Sequence, residues 1–67
     1  MKLNTIVVDD SSIQRMTIAK LIKEHIHLKL SGDFSNALDA KNYISNHLVD
    51  LIFLFFFQPK IQHVYLN

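Results

Sequence analysis

Seven consecutive apolar residues, Leu51-Ile52-Phe53-Leu54-Phe55-Phe56-Phe57, limit what this 67-residue chain can become. A helix that crosses a bilayer needs about 20 such residues, so the run does not span a membrane. Its length and its Ile and Phe content fit a strand covered on both faces. A chain this short buries only about 60% of its unfolded surface, so the covering layers have to come from one small domain, residues 1–67. Zero Cys, one Gly and one Pro exclude a disulfide scaffold, a Cys-bearing zinc site, a collagen-like chain and a Gly/Ser-rich linker. Hydrophobic residues make up 49% of the chain, which argues against disorder.

The residues upstream supply the layers. Leu3 to Val8 is a β-type run, rich in β-branched residues, that stops at Asp9-Asp10. Ser11 and Gln14 have capping-box spacing, and Ile13 to Ile26 contains no Gly or Pro, which predicts a helix. On that helix Ile18, Ala19, Leu21, Ile22 and Ile26 share one arc, with Thr17, Lys20, Lys23 and Glu24 opposite. His27 to Leu30 fits a short second strand that ends in a turn at Ser31-Gly32-Asp33. Ser35 then caps a second helix reaching about His47, with Ala37, Ala40 and Ile44 on one side. Strands alternating with helical patterns of this length predict βαβ units and a parallel sheet between helical layers.

In such a sheet ligands bind outside the carboxyl ends of the strands, where Asp9 and Asp10 stand. Mg²⁺ takes oxygen ligands, using one or two carboxylates together with waters and phosphate oxygens, so this pair suits a hard cation. The plainer alternative is two solvated loop residues leading into the Ser11 cap.

Ile6-Val7-Val8-Asp9-Asp10, a long amphipathic helix with Arg15 early in it, and Val49-Asp50-Leu51-Ile52-Phe53-Leu54 together resemble the first half of a response-regulator receiver domain of two-component systems. The likeness covers residues 2–54; residues 55–67 form a divergent tail. It implies a partial flavodoxin-like α/β fold, a doubly wound parallel sheet with the order strand, helix, strand, helix, strand. It also implies a cytoplasmic signalling module that a histidine kinase phosphorylates, with Asp9 and Asp10 as Mg²⁺ ligands. Receivers usually read Asp-x-x-Met-Pro after such an apolar run, whereas this chain reads Phe55-Phe56-Phe57-Gln58-Pro59. Pro59 keeps the register and puts Phe55 at the phospho-acceptor position. A phenyl ring has no oxygen with which to form an acyl phosphate, so phosphorylation there is not expected, and one of three metal-ligating carboxylates is gone. Asp50 cannot stand in for it, lying on the opposite face and about 16 Å away at about 3.3 Å per residue. Asp33 and Asp39 are expected in solvent. No catalytic turnover is expected.

The resemblance further implies that half of the fold lies beyond Asn67, so that the chain reads as a truncated receiver. Its tail, in which Ile61, Val64 and Tyr65 give less than two helical turns, reads as a frameshift product. Leu51 to Phe57 would then be an open sheet edge, suited to self-association by strand addition. That gives a rival reading as a small interaction module, and a third as a gene remnant.

His25, His27, His47 and His63 lack the spacing of a metal pair on a helix and are read as structural or solvated. Lys20, Lys23 and Lys29 read as a solvated basic face, or, by the resemblance, as part of a kinase contact. The net charge of +1 gives no sign of a nucleic-acid partner.

Overall fold

The computed structural model describes residues 1–56 and 62–66. The elements are β1 (Leu3–Asp9), α1 (Ser12–Glu24), β2 (Leu28–Phe34), α2 (Ala37–Ile44), β3 (Leu51–Phe55) and β4 (Gln62–Leu66). The sheet order is β2-β1-β3-β4. β1 pairs in parallel with β2 and with β3. This is the expected partial flavodoxin-like α/β arrangement, β1-α1-β2-α2-β3, extended by one antiparallel strand.

β1 is central and therefore buried on both faces, with Thr5, Ile6, Val7, Val8 and Asp9 all at 2% exposure or less. The period of two along a strand divides its side chains between two cores. Ile6 and Val8 join Ala40, Val49, Ile52 and Leu54 on the α2 side, while Val7 joins Ala19, Ile22, Phe53 and Phe55 on the α1 side.

β2 is longer than the sequence suggested. It runs through Ser31-Gly32-Asp33, and Gly32 serves in a strand rather than a turn, with no residue of the described chain at positive φ. The β1–β2 register passes from Thr5↔Leu30 to Ile6↔Gly32, leaving Ser31 as an extra residue. Such a bulge reverses which face each later residue takes. Leu28 and Leu30 lie on the α1 side, whereas Phe34 lies on the α2 side with Tyr43. The Tyr43 hydroxyl donates to the Ser31 carbonyl at 3.2 Å, satisfying a group at the bulge. A Cβ on Gly32 would sit 3.0 Å from the Phe34 ring, so this close approach explains the glycine.

Both helices are shorter than expected. α1 ends at Glu24, and Leu21 and Ile26, expected on its buried arc, are 60% and 75% exposed. Ile26 falls after the helix, and Leu21 borders an apolar groove with Ile18, Phe53 and Phe55. The cap of α2 is Asn36, whose side-chain oxygen accepts from the Asp39 amide at 2.9 Å; Ser35 instead accepts from Asn36.

The tail departs furthest from expectation. β4 is a strand, paired antiparallel with β3 from Leu51↔Leu66 to Phe55↔Gln62. The expected open edge at Leu51 to Phe57 is therefore covered over Leu51–Phe55, and β4 takes the outer place. Backbone pairing favours this, since β3 now satisfies its backbone groups on both sides, while Val64, Tyr65 and Leu66 stay exposed. Phe57 and Pro59 lie outside the described residues. No described helix is long and apolar enough to cross a membrane.

Candidate functional site

The carboxyl ends of β1 and β3 lie side by side, with Asp9 and Phe55 as register partners. β1 delivers Asp9 into the sheet interior, at 2% exposure, and the chain then bends at Asp10 into the Ser11 cap. Ser11 Oγ accepts from the Gln14 amide at 3.3 Å, as the capping-box spacing predicts. The Ser11 amide donates to Asp9 Oδ1 at 2.8 Å, so Asp9 takes the place that the Gln14 side chain has in a full capping box.

Asp9 Oδ2 is buried and has no hydrogen-bond partner among the described residues. Leaving a carboxylate oxygen in that state costs several kcal/mol unless a positive group reaches it. Asp10 adds a second carboxylate at the exposed rim. These oxygens are the donor type that Mg²⁺ takes, and they fit such an ion with its remaining positions filled by water. The set is a pair: no group of three or more His, Cys, Asp or Glu converges among the described residues. On the β3 side Phe55 is half-buried and packs in the apolar cluster with Val7, Ala19 and Ile22. The carboxyl end of β1 is therefore acidic, and that of β3 beside it aromatic.

Asp50 stands at the opposite end of β3, as expected. Its Oδ2 accepts from the Asn4 amide at 2.8 Å, and its own amide donates to the Asn4 carbonyl at 2.8 Å. Asp39 belongs to the α2 cap. Asp33 is not simply solvated: its Oδ1 accepts from Arg15 Nε at 3.2 Å, and Arg15 Nη1 donates to the Asp9 carbonyl at 2.6 Å. Sequence reasoning passed over this link. Gly32 inside an otherwise strand-like run was the available signal, because a bulge there turns Asp33 toward α1. His25 and His27 lie tilted to each other at a ring-centroid distance of 5.7 Å, and His47 stacks on Tyr43 at 3.9 Å.

Transcriptional regulatory protein YpdB of Escherichia coli K12 is 31% identical to this chain over 64 residues, which is 96% of this chain and 26% of that protein. Protein-glutamate methylesterase/protein-glutamine glutaminase 2 of Shewanella sp. MR-7 is 34% identical over 61 residues, 91% of this chain and 17% of that protein. The chain thus spans about a quarter or less of the length of these relatives. No family model and no solved structure matches it. The likeness is to part of a transcriptional regulatory protein and part of a methylesterase/glutaminase, at a distance.

Proposed function

We propose that the chain is a receiver-type module of two-component phosphorelay signalling, in which Asp9 and Asp10 hold Mg²⁺ weakly and Phe55 replaces the phospho-acceptor. The observation that carries this reading is the buried Asp9 carboxylate, with one oxygen unpartnered, at the carboxyl end of the central parallel strand. Strand order and likeness to a transcriptional regulatory protein support it. Asp9 Oδ2 and the Asp10 carboxylate would hold the ion, which, when bound, would supply positive charge for an incoming phosphoryl oxygen. Phe55 offers no nucleophilic atom, so the module would bind a histidine kinase without taking up phosphate at this position and has no turnover of its own. A cytoplasmic location goes with that role.

Thermal unfolding with and without millimolar Mg²⁺, for the natural chain and Asp9→Ala, tests this reading. A midpoint that rises with Mg²⁺ in the natural chain and not in the variant supports it; a midpoint indifferent to Mg²⁺ in both overturns the cation site. Incubation with acetyl phosphate and Mg²⁺ should add no 80-Da adduct by mass spectrometry at residue 55.

A second reading is favoured by the outer strand. β4 contains no Lys, Arg, Asp, Glu or Pro, whereas the edge strand β2 exposes Lys29 and Asp33. Charges and prolines protect natural edges, so β4 suits strand addition by a second copy, forming an interaction module through this edge rather than through Leu51 to Phe57. Sedimentation at rising concentration tests it: association indifferent to Mg²⁺ and lost in Val64→Lys supports it, and a monomer throughout sinks it.

A further inference from the structure

We infer that Arg15 is the positioning residue of the Asp9–Asp10 pair, an inference that rests on the cation reading proposed above. Arg15 sits in the first turn of α1, with its amide donating to the Ser11 carbonyl at 2.9 Å. Its guanidinium reaches back across the bend. Nη1 donates to the Asp9 carbonyl at 2.6 Å, and Nε donates to Asp33 Oδ1 at 3.2 Å. The Arg15 side chain is 20% exposed and its bond to the Asp9 carbonyl is partly buried, whereas the Asp33 carboxylate is half-exposed.

One planar group thereby ties three pieces of backbone: the last residue of β1, the helix that follows it, and the far end of β2. The residues it spans, Asp9 to Ser11, contain both proposed cation ligands. Holding the Asp9 carbonyl restrains the peptide that joins Asp9 to Asp10, and so the backbone from which both carboxylates project. The bulge at Ser31 is part of the device, because it directs Asp33 to the α1 side.

The sign of the effect separates positioning from simple electrostatics. A guanidinium beside a cation pocket repels the cation, so removing it on charge grounds alone should tighten binding. Asp33 partly offsets that charge, and a positioning role requires geometry to outweigh what is left. Loss of Arg15 should therefore weaken cation binding even though a positive charge has gone.

Mn²⁺ binding to the whole chain, read by electron paramagnetic resonance of free Mn²⁺, tests this in the natural chain and in Arg15→Met, Arg15→Lys and Asp33→Asn. Circular dichroism of each without cation establishes that it folds. The expected result is a Kd raised about tenfold in Arg15→Met, the scale for loss of a group that orients metal ligands. Arg15→Lys, able to replace one bond of the two, should fall between, and Asp33→Asn should raise Kd by a smaller factor with the guanidinium charge intact. Binding in Arg15→Met as tight as in the natural chain, or tighter, overturns the positioning role while leaving the cation site standing. No Mn²⁺ binding by the natural chain overturns both. Should Arg15→Met fail to fold, Asp33→Asn decides, since an unchanged Kd there overturns the role.

Discussion

Asp9 and Phe55 occupy equivalent places at the carboxyl ends of neighbouring parallel strands, on the same side of the sheet, yet their surroundings are opposite in kind. Asp9 gives one oxygen to the Ser11 amide and keeps the other buried without a partner. Phe55 places its ring in a cluster with Val7, Ala19 and Ile22, where its burial favours the fold. The first position carries the cost of a buried oxygen without a partner; the second gains from apolar contact. Neighbouring positions in one sheet can therefore be set for binding and for packing independently, because each side chain meets its own local environment.

Making the two ends alike should have the largest effect. Phe55→Asp removes a ring from the apolar cluster and adds a carboxylate beside a buried one, which should lower cation-free stability by about 2–4 kcal/mol in urea titrations. Millimolar Mg²⁺ should restore part of that loss, and a variant equally unstable with and without Mg²⁺ would break the comparison. Asp9→Asn should act in the other direction. It keeps an acceptor for the Ser11 amide and puts a neutral NH2 group in place of the charged, unpartnered oxygen, raising cation-free stability by about 1–2 kcal/mol and removing any response to Mg²⁺. A destabilised Asp9→Asn would mean that the charge is compensated in the free protein. Asp50→Ala, at the far end of β3, should cost about 1–1.5 kcal/mol through the lost bond to the Asn4 amide and leave the Mg²⁺ response as it was. Ser11→Ala should cost about 1 kcal/mol in the same titration through the lost cap of α1.

Much of this was legible in the residues because it depends on local patterning. The alternation of β-type and helical runs, the Asp9-Asp10 break and the Ser11 cap all rest on neighbours within a few positions. The full burial of Val7 between two layers follows once β1 is central. What escaped were features decided at long range. Ser31-Gly32-Asp33 has turn composition, yet β1 alongside holds it extended with one residue bulged out, and the Arg15–Asp33 pair follows from that. Leu21 and Ile26 fit the buried arc by angle, but no element of the described chain covers them. β4 has strand-forming Val64 and Tyr65, but which strand it pairs with is decided at long range by the open backbone of β3. At the site, Asp9 and Asp10 stand out by type and place, whereas the one unpartnered oxygen is visible only once Ser11 is seen to take the other.

The clip between Asn4 and Asp50 bears on the order in which the chain assembles. It joins residues 46 apart in sequence, whereas β1 and β2 first meet at Leu3 and Leu28. Each doubling of the loop to be closed costs about 0.6 kcal/mol of chain entropy, so β1, α1 and β2 should come together before β3 arrives. The Asn4–Asp50 bonds then act late, as the latch that sets β3 in register after the slow step. Losing them should hasten unfolding and leave the refolding rate nearly untouched.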